Sequence, residues 1–150
     1  MDIASYITGF ADGEGCFSIS FNFRKKLKTN IEVRPSFSVS QKRFSLNSLK
    51  LVKNYFNCGG IRYSKGDATY KYEVRSLNDL IVKIIHHFEK YQLQTSESED
   101  FKKFTLICRM MRGSLHLNTE KLKEIIELAY LMNQSGKRVY AKKDLLKHLK

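Results

Sequence analysis

Cysteine is scarce and scattered: Cys16, Cys58 and Cys108 are the only three, and no pair stands at CxxC spacing. An odd, sparse count argues against a disulfide framework and against a structural zinc site, so reduced and mostly buried thiols are expected. His86 and His87 do not fill that gap, because neighbours on a predicted helix point in different directions and make poor joint ligands. No apolar run approaches the roughly 20 residues that span a bilayer. The N-terminus carries Asp2 and lacks a basic stretch ahead of an apolar core, unlike a secretory leader. An intracellular setting without membrane attachment is therefore expected, in bacterial cytoplasm or an organelle. Linker and low-complexity stretches are missing too, and one domain over residues 1–150 is the simplest organisation.

Acids are missing from one region in particular. Between Gly15 and Arg75 stand 13 Lys/Arg and only three acids, Glu32, Asp67 and Glu73, whereas the rest of the chain holds 14 basic and 12 acidic residues. Most of the net charge of +12 is thus concentrated in that region. A localised positive surface implies a polyanionic partner, for which nucleic acid is the default. A solvated basic face on any soluble protein is the ordinary alternative, and segregation this sharp weakens it.

Apolar spacing then sets the elements. Ile3, Tyr6, Ile7 and Phe10 recur at three and four, predicting a helix from Asp2 to Gly13. Gly15 to Arg24 alternates Phe17, Ile19 and Phe21 with Ser18, Ser20 and Asn22, which reads as a strand. A basic turn through Lys25–Lys28 leads to a second strand, Ile31 to Gln41. Its Ile31, Val33, Pro35, Phe37 and Val39 take one face, opposite Glu32, Arg34, Ser36, Ser38 and Ser40. A short helix from Ser45 to Phe56 ends near Cys58-Gly59-Gly60. A second hairpin runs from Ile61 to Arg75 around Lys65-Gly66-Asp67. Helices are predicted over Leu77–Tyr91, Asp100–Arg112 and Thr119–Met132, with a basic tail, Gly136 to Lys150, ending in another short helix. The order is αββαββα with extra C-terminal helices, an α+β fold whose two helix–hairpin units look like a pseudo-repeat.

The exposed faces of these strands are rich in Ser, Asn, Arg, Lys and Glu. Such side chains neutralise phosphates or hydrogen-bond base edges, and a two-stranded ribbon fits the major groove. A half-exposed antiparallel sheet backed by helices has a similar composition, and the charge localisation favours nucleic acid.

The stretch that carries chemistry runs from Tyr6 to Phe17, Tyr-Ile-Thr-Gly-Phe-Ala-Asp-Gly-Glu-Gly-Cys-Phe. Ser5, Gly9 and Gly13 fall four apart and line one helix face with small residues, so another backbone can approach closely. An identical helix is the natural candidate, which makes a homodimer the expected assembly. Glu14 then stands at the helix C-terminus, where a carboxylate is disfavoured by about 0.3–1 kcal/mol. Two such carboxylates at a dimer axis repel further, and a divalent cation removes both problems. Hard oxygen ligands, few carboxylates and substrate phosphates suit Mg²⁺.

This arrangement resembles the LAGLIDADG homing endonucleases in their single-motif, homodimeric form. The signature is Ile7-Thr-Gly-Phe-Ala-Asp-Gly-Glu-Gly15, supported by Ser18–Asn22, Phe37-Ser-Val-Ser-Gln-Lys42, Cys58-Gly-Gly-Ile-Arg62 and Tyr70-Lys-Tyr-Glu-Val74. The resemblance implies a sheet forming a DNA-binding saddle and Mg²⁺-dependent hydrolysis of duplex DNA at a long pseudo-palindromic site. It implies that Glu14 ligates the metal with the Gly13 carbonyl, and that Gln41 organises water near the scissile phosphate. The residues implied to face DNA are Ser18, Ser20, Asn22, Arg24, Glu32, Arg34, Ser36, Ser38, Ser40, Arg62, Ser64, Lys71, Glu73 and Arg75.

One departure stands out. Where the family carries a basic active-site residue after a Lys-Tyr-x-Leu stretch, this chain has Lys90-Tyr-Gln-Leu-Gln-Thr-Ser-Glu-Ser-Glu99, with Ser96 and Glu97 at the critical place. The second basic residue expected after Gln41 is also displaced, with Ser45 at that place and Arg43 the nearest substitute. Either Arg43 or another lysine substitutes, or the enzyme is slow or inactive. The alternatives are therefore a weak or inactive DNA-binding descendant, a maturase binding intron RNA, or a basic structural RNA-binding module.

Overall fold

Asp2 starts the first helix, its carboxylate accepting from the backbone N–H of Ala4 (3.1 Å) and Ser5 (3.4 Å). These bonds satisfy donors that a helix start leaves without intrahelical partners. The computed structural model describes residues 1–133 and 136–150, and of Arg43 the backbone only. Helix α1 spans Ile3–Glu14 and buries Ala4, Ile7, Thr8 and Ala11. Strand β1 (Gly15–Phe23) follows directly. Gly15 makes that junction possible, because a Cβ there would lie 2.8 Å from the Ala11 carbonyl oxygen.

Strand β2 covers Ile31–Lys42 and helix α2 Leu46–Phe56. Strands β3 (Gly60–Ser64) and β4 (Thr69–Val74) form the second hairpin. The sheet order is β1-β2-β4-β3, so the two hairpins meet through an antiparallel β2–β4 pairing. Between α2 and β3 the chain turns on Asn57 (φ 54°) and Gly59 (φ 77°). Gly59 is required twice over, by its positive φ and by a Cβ position only 2.6 Å from the Glu73 carbonyl oxygen.

The apolar repeat over Leu77–Tyr91 predicts one continuous α-helix, and the chain is helical there but not uniformly so. Helix α3 (Leu77–Asp79) passes into a π-helical segment, Leu80–Ile85, and then into α4, His86–Lys90. Helix α5 starts earlier than its apolar spacing suggests, at Glu97, and ends at Arg112. Helices α6 (Thr119–Ala129) and α7 (Lys142–His148) complete the chain. Among the described residues, no helix is long and apolar enough to cross a membrane.

The chain divides into two compact units, Met1–Phe17 with Ser36–Glu99, and Ser18–Pro35 with Asp100–Lys150. The first packs Ile7, Leu49, Val52, Ile84 and Ile85 around an aromatic cluster. Phe37 lies 5.1 Å from Phe17, 5.6 Å from Phe88 and 6.2 Å from Phe56 between ring centroids. The second unit buries Ile19, Phe21, Ile31 and Val33 of the first hairpin together with Phe104, Ile107, Leu122, Ile125 and Leu145. Its basic tail is partly structural: Arg138 donates to the carbonyls of Ile19 and Ala129 and lies 4.5 Å over the Tyr130 ring.

All three cysteines carry thiols rather than disulfides, but only Cys108 is fully buried, with its thiol pushed up to about 12 by desolvation. Cys16 and Cys58 are half-buried, at the edges of the packed core rather than inside it.

Candidate active site and nucleic-acid interface

Helix α1 assigns its residues to two faces. Ser5, Gly9, Gly13 and Glu14 are exposed, and a Cβ at Gly9 or Gly13 would meet no atom within 4 Å. The small-residue stripe is thus open on this chain. The buried face is tied by a polar chain through Thr8 and His87. The Thr8 hydroxyl donates to the Tyr91 carbonyl (2.8 Å), so it accepts from His87 Nε2 (3.0 Å). His87 Nδ1 is then left to accept from the Tyr55 hydroxyl at 2.8 Å. That sequence of donors fixes a neutral imidazole carrying its proton on Nε2. Desolvation pushes the His87 pKa down to about 4, with the nearby His86 adding to the effect. His87 is buried and His86 exposed, so the two histidines form no common ligand pair.

The two acids of Asp12-Gly13-Glu14 have different tasks. Asp12 accepts from the backbone N–H of Gln94 (2.8 Å) and Thr95 (3.1 Å) and from the Thr95 hydroxyl (2.9 Å). It latches the segment after α4 onto the motif helix. Glu14 makes no hydrogen bond or ion pair among the described residues and keeps both carboxylate oxygens for an outside partner. The Gly13 carbonyl lies in the last turn of α1, where helical N–H donors run out. Carboxylate and carbonyl oxygens are hard donors, and so few of them suit an ion that keeps waters and binds phosphate. This donor set fits a divalent cation. Among the described residues no group of three His, Cys, Asp or Glu is gathered.

Thr95 is held against Asp12, yet the adjoining Ser96 and Glu97 bring no positive charge there. The Arg43 side chain lies outside the described residues. Gln41 is half-buried and pairs with Tyr70 across β4, on the opposite pleat parity from Ser38, Ser40 and Lys42. No hydrogen bond joins Gln41 to Glu14 among the described residues, and Gln41 stands apart from the rows of polar strand residues.

Those rows follow from the strand register. Ser38, Glu73 and Gly60 form one, Ser40, Lys71 and Arg62 the next, and Lys42, Thr69 and Ser64 the third. In the first hairpin Ser20, Arg24 and Arg34 are exposed, and Ser18, Asn22, Glu32 and Ser36 half-buried. Arg62, Ser64, Ser40 and Arg75 are exposed, and Lys71 is half-buried. Ser38 departs from the expected exposure at only 7% accessible. It is a short side chain on an inner strand, directly opposite the longer Glu73.

Glu32 and Glu73, the acids expected to face DNA, are both ion-paired to cations of this face. Glu32 meets Arg24 at 2.6 Å and Arg34 at 3.7 Å. The Arg24 hydrogen bond, with help from Asn22 and the two guanidinium charges, holds the Glu32 carboxyl below its usual range. With the Asn22 amide oriented to satisfy both its ends, its oxygen accepts from Arg34 Nη1 at 2.9 Å. Asn22, Phe23, Arg24, Glu32, Arg34 and Tyr140 line an open polar concavity of about 490 Å³. Tyr140 is the unexpected member, brought there by packing against Phe23 (4.6 Å between centroids). Only the chain's aromatic content hinted at such a contact.

Comparison with known proteins agrees with this geometry. The profile of the LAGLIDADG endonuclease family matches residues 7–108. A probable intron-encoded endonuclease 2 of Neurospora crassa is 38% identical over 126 residues, covering 82% of this chain. The chain spans only about a quarter of that curated relative, 27% of its length. The archaeal intron-encoded homing endonuclease I-Vdi141I, solved in complex with DNA, superposes with a TM-score of 0.88 at 30% identity. That match covers 97% of this chain and 92% of the other. I-SmaMI, bound to an uncleaved DNA target in the presence of calcium ions, gives a TM-score of 0.87 at 27% identity. It covers 98% of this chain but 48% of that longer one. The family profile and the fold agree: the chain belongs to the LAGLIDADG endonuclease family.

Proposed function

We propose that this chain is a site-specific endonuclease for double-stranded DNA that works as a homodimer and uses Mg²⁺. The observation that carries the reading is the division of labour at the end of α1. Asp12 is consumed by three hydrogen bonds, while Glu14, one turn-end away, is exposed and uncommitted beside an open glycine stripe. The dimer is supported by that stripe and by the longer I-SmaMI chain, of which this one matches about half. The two compact units act as one domain in this reading, since β1 and β2 each contribute residues to both.

Glu14 and the Gly13 carbonyl would hold the cation, with the partner's Glu14 completing the acidic pair. Bound there, the cation supplies positive charge to the scissile phosphate and eases deprotonation of water. The chain's own residues do the rest. Arg24, Arg34, Arg62 and Arg75 neutralise phosphates and read base edges, so that DNA lies along the rows of the sheet. Gln41 is proposed to orient solvent near the reacting phosphate, and Arg43 to stand in for the displaced basic residue. Two-fold symmetry implies a pseudo-palindromic target cut once in each strand.

Selection from a randomised duplex library with sequencing of cut ends identifies the target. The Glu14→Gln variant is then expected to bind that duplex with unchanged affinity and to lose scission; undiminished cutting refutes the role of Glu14. A second reading, a non-cleaving DNA-binding protein or an intron RNA maturase, is favoured by Ser96 and Glu97 alone. Binding without cutting by the unmodified chain in Mg²⁺ would select it.

A further inference from the structure

Of the three acids between Gly15 and Arg75, Asp67 accepts from Thr69 within its turn (2.7 Å), and Glu32 lies with Arg24 and Arg34. Glu73 is the most enclosed. Its carboxylate meets Arg75 at 3.0 Å, Lys71 at 3.6 Å and Arg62 at 3.7 Å. Its side chain is only 13% exposed, while those of Arg62 and Arg75 are 62% and 52% exposed. The acid therefore lies beneath, and the guanidinium groups stand above it towards solvent.

Register explains how a long carboxylate can lie so low on a polar face. Glu73 pairs with Ser38 on one side and Gly60 on the other, both small. A Cβ at Gly60 would meet nothing within 4 Å, so no side chain crowds the backbone at that neighbour. Lys71 lies two residues before it on the same pleat face of β4, and Arg75 lies just past the end of that strand at Val74. Arg62 reaches it diagonally from β3, where it pairs with Lys71.

Resting on the DNA-binding reading above, we infer that Glu73 is a positioning residue that fixes Arg62 and Arg75 for guanine recognition and does not itself read a base. One Glu73 oxygen serves both arginines and the other faces Lys71. A cytosine amine would compete with three cations for the same carboxylate. Three cations without a shared counter-charge repel one another and turn to the nearest phosphates, which carry no sequence information. Ion-paired to one carboxylate, the two guanidinium groups are kept over one region of the face, where a fork can pair with guanine O6 and N7. The acid thus trades phosphate affinity for sequence discrimination.

The test uses the full chain and the duplex library, with enrichment read base by base and affinity for one random-sequence duplex read against salt. Glu73→Gln is expected to bind random duplex more tightly, with a salt slope steeper by roughly one to two units as one or two cations turn to phosphate. Discrimination at the guanines read by Arg62 and Arg75 should fall by about tenfold or more. Glu73→Asp, which keeps the charge, should restore much of the salt slope, a recovery that a purely steric role would not give. A changed preference confined to one cytosine, with the guanines intact, would overturn the inference and make Glu73 a base reader. An unaltered profile and slope would overturn it as well. If the unmodified chain enriches no sequence, the DNA-recognition reading fails first and this inference with it.

Discussion

Helix α1 has a front and a back of opposite character. The back is finished: Ile7 and Ala11 are buried, and Thr8 belongs to a relay in which every donor has an acceptor. The front is left open, with Ser5, Gly9, Gly13 and Glu14 exposed to solvent. A helix whose stability comes from one face can leave the other free for assembly and chemistry. Substitutions on the two faces should therefore fail in different ways, the front in function and the back in stability.

Four experiments sharpen that contrast. The largest effect is expected from Glu14→Gln, where cutting falls by more than about a hundredfold, since even outer partners of metal ligands cost 10–100-fold. Binding to the same duplex, measured by gel shift, should hold. Next comes Gly9→Leu, which blocks a close helix approach. The protomer should unfold at the same urea concentration or a slightly higher one, because glycine inside a helix costs about 0.5–1 kcal/mol relative to alanine. Sedimentation should show the dimer lost and double-strand cutting lost with it.

On the back, Thr8→Val removes the acceptor of His87 Nε2 and the donor to the Tyr91 carbonyl. A buried donor left unsatisfied costs about 1–3 kcal/mol, so the urea midpoint should drop while self-association is unchanged. The last contrast is the pH dependence of His87. Its folded pKa is depressed to about 4 from an ordinary 6.5, so the unfolded chain takes up the proton more readily. That contribution to stability is complete above about pH 6.5 and is lost as pH falls towards 4, at no more than about 1.4 kcal/mol per unit. His87→Phe should show a flatter stability profile across that window.

Much of this contrast is legible in the residues themselves. Spacing of Ile3, Ile7 and Phe10 marks the helix, and the i, i+4 positions of Ser5, Gly9 and Gly13 mark its open face. Alternation in β1 and β2 separates Phe17, Ile19 and Phe21 from the polar side correctly. What escapes a linear reading depends on partners far along the chain. The motif spells out Asp12 but not its partners Gln94 and Thr95, which stand more than 80 residues away. Glu73 looks like one more polar strand residue until register places Arg62 beside it. The π-helical turns escape for another reason: Leu80, Ile84 and Phe88 repeat at four, a spacing an unbroken α-helix would show equally. Ser38 has the right parity for exposure, but parity says nothing of how far its neighbours overhang it.

The pairing of two α1 helices through their glycine faces is the claim on which dimer, cation and cutting all depend. It is tested most directly by a Gly9→Cys variant, whose added side chain has open space within the protomer. Under mild oxidation the account predicts a disulfide-linked dimer that still binds the selected duplex. A chain that stays monomeric and uncrosslinked on that DNA, and cuts it at the unmodified rate, would contradict it.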